Sequence, residues 1–403
     1  MGSSAYNKMS IDDIDVKGKR VLVRLDLNVP FENGEISDLN RINASVPTVK
    51  KLVDEGAKVI ICSHLGKEDK HLSLEKVCKK FSEVLGKDIK FLNSERVVDD
   101  TVREYVKNMQ DGDIAMLENT RFRPEETKNG DDFSQELASL CDIFVSDAFG
   151  TVHRAHASNV GVSKYVPVTV CGYLIKEELD KLCKMIENPK KPFVTILGGA
   201  KIADKLKVIE KAIEKSNKVI LGGGMVYTFL KGMGYEVGKS LVDDSQISYC
   251  MDMINKAKKS RTKLILPVDI VCTKNFPDPI TNTKIDTITF PAKKIDKDYM
   301  GLDIGEKSIR NIIKELKGAK TVLWNGPVGL FENQKFALGT YSIARIMSDM
   351  KDANTIIGGG DSASAVNKFN LAHKMTHVST GGGASLEFLK GEPLPGVECI
   401  NDK

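Results

Sequence analysis

The sequence lacks a long apolar run and a marked excess of charge of either sign. Its longest apolar stretch without a charged residue covers residues 219–230, includes three glycines and falls well short of the ~18 residues that a membrane-spanning helix needs. With 59 basic and 55 acidic residues the net charge is +4, which excludes a polybasic tail. The contents of hydrophobic (41%) and charged (28%) residues are ordinary for a globular protein and exclude a disordered chain.

Cysteine spacings typical of metal sites or disulfide frameworks are also missing. None of the eight cysteines forms a Cys-x-x-Cys pair or a Cys/His cluster; they lie at positions 62, 78, 141, 171, 183, 250, 272 and 399. This spacing argues against zinc, and we expect buried, reduced thiols in a cytoplasmic protein. The first ten residues contain no basic segment followed by an apolar one, which argues against a secretory signal. Tyr6 stands where myristoylation requires Ser or Thr.

Several catalytic motifs are absent. There is no G-x-S-x-G elbow and no H-E-x-x-H metal site. The segment 232–240 ends like a P-loop, but Met233 occupies the position of the first glycine of that motif. Residues 358–363 match the looser dinucleotide pattern G-x-G-x-x-A, yet the next strand ends in Thr380 and glycines, without the acidic residue that would hold a ribose hydroxyl. A nicotinamide cofactor is therefore disfavoured.

Short β-branched runs alternate with amphipathic stretches along the whole chain. They read RVLVRL, AKVIICS, DIAML and IFVSDA before residue 150, and FVTIL, KVIL, KLILPVDIV, TVLW, NTIIG and HVST after residue 190. The spacing mostly leaves room for a helix between runs, which is typical of βαβ units. At about 150 residues per domain, the length predicts two or three domains. We therefore predict two doubly wound, parallel-sheet (Rossmann-like) α/β domains.

A helix and hinge are expected to join the two domains. Apolar residues recur there with a helical period until Asn188 and Pro189 stop the pattern; they lie at positions 174, 175, 179, 182, 183 and 186. The predicted boundaries are 1–172 for the first domain, 173–188 for the joining helix, 189–385 for the second domain and 386–403 for a C-terminal tail that returns to the first.

The two halves of the sequence differ in polar composition. Eight of the eleven arginines and four of the six histidines precede residue 157. Arg24, His64 and the pair Arg121 and Arg123 lie at or just beyond the ends of predicted strands, and open α/β sheets bind ligands at the carboxyl ends of their strands. Because arginine pairs bidentately with carboxylate and phosphate, this half is predicted to bind a small, multiply charged anion. On composition alone, scattered surface arginine remains an alternative.

In the second half a predicted strand runs into glycines and then a helix four times. The glycine segments lie at 198–201, 222–224, 358–360 and 381–383. Glycine lets the backbone approach a ligand closely, and the following helix offers free N–H groups, so each unit can cradle a phosphate. Packing alone explains one such loop. Four in one domain favour a phosphate ligand over packing.

Three charged residues beside these loops are candidates for the same site. Asp361 directly follows three glycines, and Mg²⁺ is usually held by one or two carboxylates together with phosphates; the alternative is a helix N-cap. Lys201 begins a predicted helix, where a cation opposes the helix dipole and therefore suggests an anionic partner. Lys205 lies one turn further on the same face. Phosphoryl transfer, which needs positioning and charge stabilisation rather than a covalent residue, fits the missing motifs.

Ten longer motifs occur in order along the chain. They are RLDLNVP (24–30), SHLG (63–66), LENTRF (117–122), SDAFGTVHRAHAS (146–158), GGAKIADK (198–205), GGGM (222–225), MGLDIG (300–305), WNGPVGLFE (324–332), GGGDSA (358–363) and TGGGASLEFL (380–389). From about residue 10 to 398 the chain resembles the phosphoglycerate kinase family. The resemblance implies reversible transfer of the acyl phosphate of 1,3-bisphosphoglycerate to Mg-ADP, which gives 3-phosphoglycerate and ATP in glycolysis and gluconeogenesis.

The resemblance also implies which residues form the site. In the first domain, the 3-phosphoglycerate-binding residues fall on Asp26, Asn28, Arg41, His64, Lys67, Arg121 and Arg154. In the second, the nucleotide-binding residues fall on Lys205, Gly223, Gly301, Leu302, Asn325, Glu332, Gly359, Gly360, Asp361 and Ser362. Glu332 is expected at the ribose and Asp361 at the Mg²⁺ ion. The family assigns charge stabilisation on the transferring phosphoryl group to Arg41, Lys201 and glycine-loop amides such as that of Gly360.

No general base is needed in this mechanism, because the substrate carboxylate is already ionised at neutral pH. The resemblance further implies domain closure during the reaction, and a cytoplasmic monomer without a nucleic-acid or membrane partner. One motif departs from the family pattern: Lys67 and Glu68 follow SHLG where Arg and Pro are typical. Lysine keeps the charge and loses the bidentate fork. Two alternatives to the kinase are a nicotinamide-dependent dehydrogenase and a non-catalytic binding member of the same family.

Overall fold

The structure, a computed structural model, describes residues 5–403; the expectation about an N-terminal signal lies partly outside this range. These residues form two compact units. The first contains the described chain up to Asp180 together with Pro393–Lys403, and the second contains Lys181–Glu392. No helix within residues 5–403 combines the length and the apolar character that crossing a membrane requires.

The first unit is built on a parallel sheet of six strands. In chain order its strands are β1 (Arg20–Leu25), β2 (Phe31–Glu32), β3 (Glu35–Ile36), β4 (Lys58–Cys62), β5 (Lys90–Leu92), β6 (Ile114–Leu117), β7 (Ile143–Asp147) and β8 (Val168–Cys171). The sheet has the order β5-β6-β4-β1-β7-β8, and β2 and β3 form a small antiparallel hairpin outside it. The α-helices are α1 (Asn40–Asp54), α2 (Glu75–Leu85), α3 (Asp100–Lys107), α4 (Asp131–Ala138) and α5 (Tyr173–Glu178).

Helices cover both faces of this sheet. Alternate residues of a strand point to opposite faces, so a strand that is apolar throughout needs packing partners on both. On β1, Val21 and Val23 belong to one hydrophobic cluster, which includes Leu52 of α1 and Phe81 of α2. Leu22 belongs to a second cluster, which is completed by α3 and α4. The doubly wound arrangement predicted from the sequence is therefore confirmed for this unit.

The second unit repeats the plan with additions. Its strands are β9 (Phe193–Leu197), β10 (Lys218–Leu221), β11 (Glu236–Val237), β12 (Lys263–Ile265), β13 (Asp269–Thr273), β14 (Ile288–Pro291), β15 (Lys294–Ile295), β16 (Met300–Ile304), β17 (Thr321–Asn325), β18 (Asn354–Ile357) and β19 (His377–Val378). The parallel sheet has the order β12-β10-β9-β17-β18-β19. Its helices are α6 (Lys184–Glu187), α7 (Leu206–Lys215), α8 (Val226–Gly232), α9 (Ile247–Lys259), α10 (Glu306–Leu316), α11 (Leu338–Asp349), α12 (Gly360–Lys368) and α13 (Gly383–Leu389).

A three-stranded antiparallel sheet in the order β14-β13-β16 is the main addition. The run KLILPVDIV, which the sequence suggests as one strand, forms β12 and β13 in two different sheets. Pro267 lies between them, and a proline cannot donate the backbone hydrogen bond that a continuous central strand requires.

The segment expected to join the domains is helical from Tyr173 to Glu187, but in three pieces. A π-helical turn, Leu179–Cys183, separates α5 from α6, and the division between the compact units falls within it. The chain ends in α14 (Pro395–Glu398), where the Gly396 amide donates to the Val152 carbonyl at 2.8 Å in the first unit. The second unit reaches Glu392, beyond the boundary at 385 expected from the sequence, because α13 packs on α7.

Asp147, at the end of β7, is a fully buried carboxylate that ties α1 and α5 to the sheet. One of its oxygens accepts from the Thr48 hydroxyl at 2.6 Å, and the other accepts from the Ile175 amide at 3.2 Å. Burial raises the pKa of Asp147 to about 7, and the bonds from Thr48 and the α5 amides offset part of that rise. Since an unfolded aspartate has a pKa near 3.9, the folded state holds an extra proton between these two values.

The pH dependence of stability follows from this difference. Between about pH 4 and 7 the folded chain binds more protons than the unfolded chain, so Asp147 makes the unfolding free energy fall as pH rises. Asp147→Asn removes this loss, and its stability relative to the parent should rise by about 1 kcal/mol per pH unit from pH 5 to 7. Urea denaturation at several pH values measures the trend.

The matched control is Asp142→Asn. Asp142 pairs with Arg20 at 3.0 Å, which lowers the pKa of its carboxyl, so its titration lies below this window. The control should therefore show a difference in stability that is constant from pH 5 to 7. A constant difference for Asp147→Asn as well would show that Asp147 is ionised in the folded protein throughout this range.

Candidate functional site

In the first unit, the ends of four adjacent strands and the loops that follow them carry most of the residues predicted to bind the anion, and Arg41 lies on α1. These strands are β6, β4, β1 and β7, and parallel pairing places their carboxyl ends at one edge of the sheet. We use the name basic cluster for Arg24, Arg41, His64, Arg121 and Arg154. The strand-end positions noted in the sequence are therefore positions along a single edge.

His64 and Arg24 form the buried part of the basic cluster. The Arg24 guanidinium is 1% exposed, and its Nη2 lies 3.0 Å from His64 Nδ1. Burial lowers the pKa of His64 well below its ordinary value, and the charges of Arg24, Arg121, Arg41 and His156 lower it further. His64 is therefore neutral at pH 7.

Asp26, Asn28 and Arg41 form the next part of the site. Arg41 Nη1 lies 3.3 Å from Asp26 Oδ1 and also donates to the Asn28 carbonyl, while its side chain remains about half exposed. The Asn28 amide oxygen accepts from the Gly66 N–H at 2.8 Å, which joins the loop after β1 to the loop after β4. These bonds hold Arg41 at the start of α1 with part of its guanidinium exposed.

Arg121 supplies the most direct sign of an anion site. Its Nη1 donates to the Gly66 carbonyl, but its Nε is buried without a hydrogen-bond partner. Burial lowers the pKa of Arg121, and the charge of Arg24 adds to the effect. A buried guanidinium N–H without a partner is costly unless a ligand satisfies it.

The remaining predicted residues differ in their surroundings. Arg154 is exposed, and its charge lowers the pKa of both Arg121 and His156. It is therefore close enough to act electrostatically on the rest of the basic cluster. Lys67 is exposed at the start of a short 3₁₀ turn, Glu68–Lys70. Glu68, which departs from the family pattern, accepts a hydrogen bond from the Thr127 hydroxyl. The loop geometry thus includes a specific polar contact at the position where proline is typical.

Arg123 does not join the basic cluster. Its guanidinium pairs with Glu136 at 2.6 Å and with Glu125 at 3.3 Å, and it lies over the Phe133 ring. Three partners of this kind give Arg123 a structural role, although the sequence places it at a strand end with Arg121.

In the second unit, the loops after β10, β9, β17 and β18 meet in the same way. Much of their glycine content is explained by direct contact between the loops. A Cβ atom at Gly198 would lie 2.1 Å from the Pro327 carbonyl oxygen, and one at Gly223 would lie 2.5 Å from the Gly199 carbonyl oxygen. Packing between loops therefore explains glycines of the first two segments, and the phosphate ligand favoured from the sequence stays a prediction. Gly360 and Gly382, with nothing within 4 Å, retain open space.

Lys205 and Asn325 form the polar centre of this unit. Lys205 Nζ donates to Asn325 Oδ1, and Asn325 Nδ2 donates to the Gly358 carbonyl. Burial lowers the pKa of Lys205, and the Asp361 carboxylate partly offsets this. The buried Ser362 hydroxyl accepts from the Gly326 amide at 2.5 Å and so joins the start of α12 to the loop after β17.

A cavity of about 820 Å³ brings several predicted residues together. Lys201, Lys205, Asp361 and Gly326 line it, with Glu387 and Lys390 of the α13 region. Lys201 and Asp361 are exposed. The helix expected to begin at Lys201 starts as a 3₁₀ turn, Ile202–Lys205, and α7 begins only at Leu206.

Eight of the ten predicted nucleotide residues lie outside that cavity lining, and Gly301, Leu302 and Glu332 are part of a different region of the unit. Gly301 and Leu302 belong to β16 of the antiparallel sheet, and the Leu302 carbonyl accepts from the Leu330 amide at 2.9 Å. Glu332 is exposed two residues after Leu330. The loop after β17 therefore connects the antiparallel sheet with the glycine loops.

Comparison with known proteins shows the same organisation. A sequence model described as "Phosphoglycerate kinase" matches residues 11–392. The chain belongs to the phosphoglycerate kinase family. Curated phosphoglycerate kinases from Clostridioides difficile and Clostridium tetani are each 52% identical over 99% of this chain, and the alignments cover 100% and 99% of those proteins.

Solved structures of phosphoglycerate kinases have the same fold. The enzyme from Coxiella burnetii is 34% identical with a TM-score of 0.88, over 97% of this chain and 98% of that one. The enzyme from Pyrococcus horikoshii is 29% identical with a TM-score of 0.79, over the same shares. The predicted family, fold and activity are confirmed: the chain is a kinase that transfers a phosphoryl group to a carboxyl group. A nicotinamide-dependent dehydrogenase is not favoured.

Sequence reasoning missed several residues that hold the phosphoglycerate kinase loops in place. Glu126 is completely buried and accepts from the Ser158 amide and hydroxyl. Asn119 bonds both the amide and the carbonyl of Leu65. Asp303 is a buried carboxylate that accepts from the Gly339 amide at the start of α11. Asp303 lies within an apolar run and Asn119 lies just after one, a signal that indicates a buried hydrogen-bonding role, whereas Glu126 lies in a polar segment that gives no such signal.

Gly359 offers a test of how the glycine loops are built. Its φ of +112° and ψ of 149° suit only glycine, and a Cβ there would lie 2.6 Å from Asn325 Nδ2. Gly359→Ala should therefore lower the unfolding free energy of the second unit by about 2 kcal/mol or more. Urea denaturation followed by the fluorescence of Trp324, the single, buried tryptophan of the chain, measures it.

The control is Gly360→Ala, at a position with no atom within 4 Å and no positive φ. Its stability should stay within about 0.5 kcal/mol of the parent, as is usual for substitutions away from such constraints. Equal effects of the two substitutions would contradict the role given to the Asn325 contact.

Proposed function

We propose a division of labour in which the first unit binds 3-phosphoglycerate or 1,3-bisphosphoglycerate and the second binds ADP or ATP. The substrate residues are Asp26, Asn28, Arg41, His64, Lys67, Arg121 and Arg154. The nucleotide residues are Lys205, Gly223, Gly301, Leu302, Asn325, Glu332, Gly359, Gly360, Asp361 and Ser362. The observation that carries the proposal is the unpartnered buried Nε of Arg121, whose guanidinium also lies in the field of the Arg24 and Arg154 charges.

The chemistry requires charge stabilisation more than proton transfer. In the direction that consumes ATP, the nucleophile is a substrate carboxylate that is ionised at neutral pH. Negative charge on the transferring phosphoryl group is stabilised by Arg41, by Lys201 and by loop amides such as that of Gly360. Arg41 and Lys201 are both exposed, so each has a cationic group available to a ligand.

Asp361 fits the role of holding Mg²⁺ together with nucleotide phosphates. Within residues 5–403, no group of three or more His, Cys, Asp or Glu side chains is arranged to hold a metal ion. Mg²⁺ bound to nucleotides commonly relies on one or two carboxylates and the phosphate oxygens, and Asp361 is an exposed carboxylate at the start of α12. When bound, the ion would neutralise phosphate charge.

The remaining expectations from the sequence stay proposals. Participation of Arg41 and Lys201 in one transition state requires closure during turnover, with the joining helix as the hinge. A cytoplasmic monomer is the expected form. The departure at Lys67 and Glu68 is proposed to lower affinity for the substrate, because lysine offers a point charge in place of a bidentate fork.

A coupled assay tests the reaction and its metal together. ATP-dependent phosphorylation of 3-phosphoglycerate should occur with Mg²⁺, stop when the ion is chelated and return when it is restored. Asp361→Asn should raise the Mg²⁺ concentration needed for half-maximal rate by roughly tenfold, because it removes the carboxylate ligand. Absence of activity in the parent would remove the proposed function, and an unchanged Mg²⁺ requirement in the variant would remove Asp361 from the metal site.

Lys201 provides a test of the assigned transition-state role. Lys201→Ala should lower kcat by roughly two or more orders of magnitude and leave nucleotide binding nearly intact, since the lost interaction belongs to the transition state. Lys207→Ala is the matched control, because Lys207 lines the same cavity and pairs with Glu392. Steady-state kinetics and ADP titration measure both. A higher KM with unchanged kcat in Lys201→Ala would show that Lys201 contributes only to binding.

A further inference from the structure

Arg24 lies behind His64 in the basic cluster and has few donors left for a ligand. Its Nε donates to the Ser158 hydroxyl at 2.8 Å, its Nη1 donates to the Leu25 carbonyl, and its Nη2 faces His64 Nδ1 at 3.0 Å. The side chain is 1% exposed. These contacts make Arg24 part of the support of the site, whereas the sequence suggests direct contact with the anion.

The Ser158 hydroxyl directs its proton at Glu126 and accepts from Arg24 with a lone pair. Ser158 Oγ donates to Glu126 Oε2 at 2.7 Å, and the Ser158 amide donates to Glu126 Oε1 at 2.8 Å. A hydroxyl has one proton and two lone pairs, so this bond leaves a lone pair for the guanidinium. Glu126, which is 0% exposed, thus fixes the hydroxyl, and the hydroxyl fixes Arg24.

The direction of the last bond determines where His64 carries its proton. Arginine is a donor at every nitrogen, so His64 Nδ1 must accept. A neutral imidazole whose Nδ1 accepts carries its proton on Nε2. A cationic ring would turn an Nδ1–H toward a guanidinium, with Arg41, Arg121 and His156 also nearby.

We propose that Arg24, held by Ser158 and Glu126, is a positioning residue that fixes His64 as the neutral Nε2–H tautomer. The inference rests on the proposed role of His64 in binding the phosphoglycerate. His64 then offers the substrate one N–H donor of fixed identity and adds no further positive charge to the basic cluster. The chain Glu126–Ser158–Arg24–His64 sets the orientation of that donor.

Nitrogen NMR of the full chain tests the tautomer directly. With ¹⁵N-labelled histidine, only six side chains contribute signals, and the missing signals in His64→Gln assign His64. The His64 ring should show the Nε2–H pattern from pH 8 to 6 without a titration step. A ring protonated on Nδ1, or one that is cationic at pH 7, would overturn the proposal whatever the enzymatic activity.

Ser158→Ala tests the support of Arg24. Loss of the hydroxyl should give a mixture of His64 tautomers and a KM for 3-phosphoglycerate about fivefold to tenfold higher, with kcat changed less than twofold. Ser163→Ala is the matched control, because its hydroxyl donates to the Val160 carbonyl at 2.6 Å in the same segment of chain. The control should keep both the tautomer and the KM.

Two results for Ser158→Ala count against the proposal: an unchanged tautomer, or an unchanged KM alongside a changed tautomer. A milder variant, Glu126→Gln, keeps a hydrogen-bonding group beside Ser158 and is expected to shift the tautomer less than Ser158→Ala. It provides a second reading if Ser158→Ala folds poorly. Failure of the parent in the kinase assay would instead remove the proposed function and leave the NMR result interpretable.

Discussion

Parallel pairing of the central strands is the constraint on which both sites depend. In the first unit β1 pairs with β4 and β7, and in the second β9 pairs with β10 and β17, each in continuous parallel register. The carboxyl ends of parallel strands lie at the same edge of the sheet, so strand pairing alone brings residues far apart in the sequence close together there. Arg24 and His64 are 40 residues apart and within hydrogen-bond distance for this reason. The hydrophobic faces that hold the sheets together are therefore also what holds the polar groups together.

The two edges use this convergence differently. The first edge brings guanidinium groups together, and Glu126, Glu68 and Asp26 offset part of their charge. Burial makes the remaining imbalance costly, as the lowered pKa values of Arg121 and His64 indicate, and an anion relieves it. The second edge is made mainly of backbone, with Lys205 and Asn325 as its polar centre. Its cavity carries both signs of charge, from Lys201 and Asp361.

Much of the fold follows from the sequence, because buried parallel strands are short, β-branched and separated by helical lengths. The sequence did not show how deeply each polar side chain is buried or which groups it bonds. Arg24 and Arg121 both occupy strand ends, yet Arg24 is fully buried beside His64, whereas Arg121 is partly buried with an unpartnered Nε, and only packing distinguishes them. Arg123 was indistinguishable from Arg121 until its ion pairs were visible. The split at Pro267 and the packing of α13 on α7 likewise depend on contacts between distant segments. The family motifs in the sequence identify candidate site residues, but the hydrogen bonds that connect them depend on the three-dimensional arrangement.

The glycine loops of the second unit have a consequence for how this site can change over time. Gly198, Gly223 and Gly326 lie against main-chain atoms of neighbouring loops, so side chains have no room at these positions. Each of these loops packs directly against the adjacent one, so an insertion in one loop would displace the other. Under the proposed function, a change of nucleotide preference therefore has to come from side chains outside these main-chain contacts, such as the exposed Glu332 and Asp361. Because this surface is formed by main-chain atoms, single side-chain substitutions cannot adjust its shape in small steps.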